Sequence, residues 1–198
     1  MFGPLDGVER DLELSPAEVQ VTGRGSGDLV MGSLAIADLT GDQVDDLLLL
    51  APRAGGSEAN GEGYLLAGPL QAGSYDLDTV RPDVTIRGLS VYNTFVSVVG
   101  GDVDGDSEAD LVFAGGGASH IVPGLIPLRD ISLGAVPQLV EAVATDLGSS
   151  AALGDLDGDG VADLVLGAWL ADAQAPFRPD AGRVASCSVR SIRTRPCW

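Results

Sequence analysis

The sequence has no lysine and a single histidine, His120, in 198 residues. Without lysine there is no Gly-Lys step for a phosphate-cradling Walker loop and no side-chain amine for Schiff-base chemistry. One histidine excludes a His-x-x-x-His zinc helix, and His120 is read as a loop or strand-end residue, not as a ligand or catalyst. Bases are scarce altogether: 11 arginines face 29 acids, for a net charge of −18. Such a chain cannot neutralise phosphates, so nucleic acid and anionic membrane surfaces are poor partners and cations are its natural counter-charges. No apolar run approaches the roughly 20 residues of a membrane span, which argues against membrane insertion. The opening MFGPLDGVER shows neither the basic nor the apolar region of a secretory leader. Aromatic residues make up 5 % of the chain and leave few anchors for a ligand groove. There is no Gly-x-Ser-x-Gly elbow, and Ser26 in GRGSGD and the Gly115–Ser119 stretch GGGAS read as a turn and a strand connection. Cys187 and Cys197 are the only cysteines, and their closeness admits either a small disulfide loop or two free thiols.

What the chain does have is internal repetition. ADLTGDQVDDLLLLAP starts at Ala37, GDVDGDSEADLVFAGG at Gly101 and GDLDGDGVADLVLGAW at Gly154. Upstream of each block lie small residues, in MGSLAIAD, FVSVVGGD and LGSSAALGD. Downstream lie an apolar run, a glycine-rich turn and a second apolar run, in EGYLLAGPL, SHIVPGL and AGRVASC. The runs DLLLLA, DLVFAG and DLVLGA are continuous, as in strands covered on both faces, and flanking glycine and proline leave little room for a helix. Two segments between repeats, 14–21 and 135–147, are candidate helices. The expected fold is all-β, an arc of about three four-stranded antiparallel blades, with small residues on the inner strands where blades crowd around an axis. The repeats occupy residues 1–186 and a basic, cysteine-containing tail occupies 187–198. FGPLDG at the start echoes AGPLQAG one repeat later, so the chain is expected to open on the tail of a preceding unit.

The acids keep one register in all three blocks. Asp102, Asp104, Asp106 and Asp110 stand at loop positions 1, 3, 5 and 9, as do Asp155, Asp157, Asp159 and Asp163. The first block has Asp38, Asp42 and Asp46, with Thr40 at position 3. A chain curling around an ion turns alternate side chains inward. Positions 1, 3 and 5 then converge, the carbonyl at position 7 (Val44, Glu108 or Val161) adds an oxygen, and position 9 closes the shell. An all-oxygen, flexible set of six or seven ligands suits Ca²⁺, up to three ions in the chain, with Mg²⁺ second because it demands a tighter octahedron. Carboxylates this close repel by about 1 kcal/mol per pair even in water, and a divalent ion turns that repulsion into ligation. Position 6 calls for a positive φ that Gly160 adopts freely and Gln43 and Ser107 do not. An EF-hand would need a glutamate at position 12, where Leu49, Phe113 and Leu166 stand.

DLTGDQVDD, DVDGDSEAD and DLDGDGVAD resemble the calcium loops of FG-GAP repeats, the units of integrin α-type β-propellers. Met31-Gly32, Phe95-Val96 and Leu147-Gly148 stand where that family has Phe-Gly, and LAP (50–52) and GAW (167–169) where it has Gly-Ala-Pro. The resemblance implies an incomplete seven-bladed propeller, Ca²⁺ as a structural clamp, an extracellular or cell-surface setting, and binding or adhesion to a protein or carbohydrate, without catalysis. Three repeats do not close a ring of seven, so further repeats in cis or self-association are implied, and an isolated arc should aggregate through its open faces. Two other functions fit the same residues: the non-catalytic propeller portion of a secreted hydrolase or lyase, and a purely architectural surface repeat. The tail RVASCSVRSIRTRPCW fits a disulfide-tied cap, a basic contact segment or a non-native end.

Overall fold

The computed structural model describes residues 18–25, 27, 32–54, 61–88, 97–115, 118–133, 138–141, 148–168, 171, 173–174, 177–178 and 182–188. Each repeat lays down an antiparallel meander, preceded in the chain by a lone strand, β1 (Val19–Thr22). In the first repeat β2 (Ser33–Ala37), β3 (Asp46–Ala51) and β4 (Glu62–Leu66) run side by side. The chain then leaves as β5 (Gly73–Asp76) and returns as β6 (Val84–Arg87), antiparallel to β4. The second repeat follows the same path: β7 (Ser97–Gly101), β8 (Asp110–Gly115), β9 (Ala118–Val122), an excursion as β10 (Ile131–Ser132), and a return as β11 (Gln138–Glu141) on β9. The third contains β12 (Ser150–Gly154), β13 (Asp163–Ala168) and, after a small hairpin of β14 (Ala173–Gln174) and β15 (Phe177–Arg178), β16 (Arg183–Ser188).

The two excursions do the same thing. β10 pairs in parallel with β6, the outer edge of the first sheet, and β5 pairs in parallel with β1. By position β1 is therefore the outer strand of a preceding blade. The expected all-β arc is borne out, with several antiparallel sheets and, among the described residues, no closed barrel. Strand number varies among the described residues: the second sheet has four strands, the first gains β10 as a fifth, and the third has three.

Both candidate helices are corrected where the structure describes them. Residues 19–22 are strand β1, and 138–141 are strand β11; the rest of each segment lies outside the described residues. A glutamine flanked by β-branched valines in VQVT alternates with period two and suits a sheet edge. Among the described residues no helix is long and apolar enough to cross a membrane.

The continuous apolar runs are buried on both faces because each sheet is sandwiched. Leu48 and Leu50 of β3 join Phe113, Leu111 and Val98 in a core between the first and second sheets. Leu49, on the opposite face, packs with Tyr64 and Leu66 toward β1, whose Val21 touches that cluster. Val112 and Ala114 meet Leu164 and Leu166 between the second and third sheets. Full burial of each such leucine stabilises the stack by about 2 kcal/mol. The inner strands are in contact: a Cβ on Gly100 of β7 would lie at van der Waals distance, 3.4 Å, from the Cβ of Ala37 on β2.

Candidate functional site

Three loops connect β2 to β3, β7 to β8 and β12 to β13, and all three are wound by their own carboxylates. At position 1, Asp38 accepts the N–H groups of Gly41 (2.7 Å), Asp42 (3.1 Å) and Gln43 (2.8 Å). Asp155 repeats this with Gly158, Asp159 and Gly160, and Asp102 with Gly105 and Ser107. At position 5, Asp42, Asp106 and Asp159 accept the N–H of position 7, which is Val44, Glu108 and Val161. At position 3, Asp104 and Asp157 accept the N–H of position 5. Such side-chain-to-backbone bonds stand in for regular structure and pull the chain into a tight curl.

The curl needs left-handed backbone at position 6, as expected from the sequence. Gln43 has φ +69°, Ser107 +73° and Gly160 +87°. Only the last bears this without a clash of Cβ against the carbonyl.

The curl gathers the acids. One oxygen each from Asp102, Asp104 and Asp106 lie within 4.8 Å of one another, and the same holds for Asp155, Asp157 and Asp159. Both groups could hold a cation, and the acids of the third loop are exposed. The first loop forms no such group of three among the described residues, since Thr40 replaces the middle acid. The Thr40 Oγ1 atom is nevertheless buried and lacks a hydrogen-bond partner.

Position 9 has a different environment. Asp46, Asp110 and Asp163 open the second strand of each sheet and are buried. Asp46 accepts the N–H groups of Leu39 and Thr40 on Oδ2 and of Gly68 on Oδ1. Asp110 does the same with Val103 and Gly124, and Asp163 with Leu156. These acids thus tie the start of each loop to the second strand and, in the first two sheets, to the turn after the third strand. Burial pushes the Asp110 carboxyl above the ordinary carboxylate range; the N–H groups of Val103 and Gly124 pull it back, and the charges of Asp104 and Asp106 add to the rise. Gly68 and Gly124 are glycines for a steric reason. A Cβ at Gly68 would run into the Asp45 carbonyl, and one at Gly124 would sit 2.8 Å from the Glu108 Cβ. These two donors carry no sign in the acid register and are visible only once the sheets are assembled.

An ion-pair chain along the outer edge of the first sheet carries no sign in the sequence. Arg87 on β6 reaches Asp130 (3.1 Å) just before β10 and Glu62 on β4 (3.5 Å), with Arg24 and Arg81 at its ends. His120 lies inside β9 and is buried. Gly115 and Ser119 fall in β8 and β9, so that stretch connects two strands as expected. Met31, Phe95, Val96, Leu147, Ser26, Trp169 and Cys197 lie outside the described residues.

Residues 147–186 match the family model of the FG-GAP repeat. The match covers the third repeat, and the first two repeats share its strand order and acid register. No curated protein matches the chain.

Proposed function

We propose that this chain is a calcium-binding, propeller-type repeat module that serves extracellular binding or adhesion. Asp102, Asp104 and Asp106 would hold one ion and Asp155, Asp157 and Asp159 a second, with Asp38, Thr40 and Asp42 a weaker third. The ion neutralises the clustered carboxylates and cross-links the two strands that each loop joins. The observation that carries this reading is the convergence of positions 1, 3 and 5 in two separate loops of similar curl. The buried, unpartnered Oγ1 of Thr40 fits a cation at the same place in the first loop. An all-oxygen donor set favours Ca²⁺, with Mg²⁺ second. The secreted, cell-surface setting and the protein or carbohydrate ligand rest on the family resemblance. No catalytic step is assigned, because the clustered acids are engaged with backbone N–H groups of their own loops.

Calorimetric titration with Ca²⁺, paired with melting in calcium and in chelator, tests the proposal. Affinities of about 10⁻⁴–10⁻³ M per site are expected, as in extracellular modules. At a hundredfold excess over Kd each ion adds about 2.7 kcal/mol to stability, so chelator lowers Tm. Melting curves that superimpose in the two conditions would overturn it.

A further inference from the structure

The second and third acidic loops lie in different repeats, yet one peptide group touches both. Ala162 stands between Val161 and Asp163, positions 7 and 9 of the third loop. Its N–H donates to the carbonyl of Asp102, position 1 of the second loop, at 3.4 Å. The peptide that carries this N–H also carries the Val161 carbonyl, the backbone oxygen expected from position 7. In a planar trans peptide the two groups point opposite ways, so that carbonyl faces away from Asp102. A ligand position of one loop is thereby joined, through a single rigid unit, to a ligand residue of the other.

Packing holds the same junction from both sides. Gly101 precedes Asp102, and a Cβ there would come within 3.1 Å of the Leu153 side chain on β12. Val103 follows Asp102, is fully buried, and shares a cluster with Leu164 and Leu166 of β13. At the other end of β7 the Ser97 hydroxyl accepts the N–H of Ala151. Asp102 is thus set between two residues seated on the third repeat, and it winds its own loop by accepting the N–H groups of Gly105 and Ser107. Among the described residues the first two loops lack this link. Ala109, the counterpart of Ala162, makes no hydrogen bond to Asp38, and the first loop is tied instead through the Leu39 carbonyl to the N–H of Ile126.

We infer that the second and third loops fill cooperatively: a cation in either one raises the affinity of the other. The inference rests on the cation reading proposed above. Ordering one loop fixes a peptide that the other loop must also fix, so the second ion meets a loop with less freedom left to lose. The Val161–Ala162 peptide, polarised at its carbonyl, also becomes a stronger donor to Asp102. The coupling is reciprocal, as any binding linkage must be. Direct repulsion between the two ions has the opposite sign, and salt at 0.15 M screens it over about 8 Å. A positive sign therefore separates the linked peptide from the bare field.

Calorimetric titration of the 198-residue chain with Ca²⁺ tests it, in an Asp42→Asn background that leaves Asp38 the sole acid at positions 1, 3 and 5 of the first loop. Asp157→Asn with Asp159→Asn silences the third loop, and Asp104→Asn with Asp106→Asn silences the second. Each asparagine keeps an oxygen for the N–H that its aspartate accepts. A silenced loop retains two of the four aspartates, the same net charge as all four with one divalent ion, so the field on its neighbour matches that of a filled loop. Each site alone should bind about fivefold more weakly than with its partner filled. The chain with both loops intact then titrates more steeply than the sum of the two single-loop chains. Ala162→Pro removes the linking N–H and no ligand side chain, and should return the curve to that sum, with circular dichroism checking its fold. The asparagine pairs decide the coupling whether or not this variant folds. A two-loop curve equal to the sum, or shallower, overturns the coupling and leaves the cation reading standing. A folded Ala162→Pro chain that still titrates steeply overturns the assigned link. If no chain takes up Ca²⁺, the coupling and the cation reading fall together.

Discussion

The first and third acidic loops share a curl but differ in what lies above and below it. Above, the third loop has three carboxylates gathered in solvent, while the first has two and a threonine. Below, the order reverses. Asp46 accepts the N–H groups of both Leu39 and Thr40 at the start of its loop, whereas Asp163 accepts that of Leu156; the third repeat's counterpart of Gly68 lies outside the described residues. Leu39 is buried by the neighbouring repeat, and Leu156 is not. Both loops are wound by their own hydrogen bonds, but the first is also packed under a neighbouring repeat. On the proposed cation reading, the third gains more from an ion than the first.

The contrast can be broken most sharply at position 9. Asp46→Ala leaves the N–H groups of Leu39, Thr40 and Gly68 without their acceptor and should cost about 4 kcal/mol, and Asp163→Ala, which lacks the counterpart of the Thr40 bond, about 1 kcal/mol less, read from urea or thermal unfolding. Equal losses would show that these hydrogen bonds are not what distinguishes the loops. The next effect concerns the ion. Thr40→Asp should raise calcium affinity at the first loop about tenfold, and Asp104→Thr should lower it at the second by a similar factor, because ligand charge sets affinity in such loops. Titration calorimetry of the two variants checks both directions.

A smaller effect lies in the backbone. Gln43→Gly should stabilise by about 0.5–1 kcal/mol by relieving a left-handed residue, and Gly160→Ala should cost about 1 kcal/mol by introducing one. Chemical denaturation resolves both. The smallest is pH-dependent. The Thr85 N–H and then the Arg87 guanidinium hold the Asp130 carboxyl below its ordinary range. Its folded pKa lies below the unfolded one, so its stabilisation is present above the unfolded value and fades as pH falls through the folded one. Asp130→Asn should therefore flatten the acid limb of the stability curve slightly, and solvent exposure keeps the effect modest. The ion pairs among the described residues all lie between Arg24 and Asp130, so no matching change is expected at the third sheet.

The acid register and the continuous apolar runs made the loops and the strands on either side of them legible, because both patterns depend on neighbours a few residues away. Position 6 was legible for the same reason: a turn needing positive φ shows itself where glycine appears in one copy. The strands β1 and β11 were hidden in segments that also fit a helical period, and only sheet partners far along the chain decide between the two. β5 and β10 were invisible because they are short and earn their hydrogen bonds from another repeat. The double duty of position 9 was hidden too. An aspartate at the foot of an acidic loop shows only its part in the acid register, and its bonds to Gly68 and Gly124, at sequence distances of 22 and 14 residues, appear once the sheets are assembled.

The crossing strands β5 and β10 mean that repeats in sequence and blades in space are out of phase. Cutting the gene at a repeat boundary would split a sheet, leaving one fragment with a surplus strand and its neighbour with a bare edge. Constructive shuffling of these units therefore has to exchange them at seams offset from the motif, much as roof tiles are lifted by their overlap and not by their visible edge.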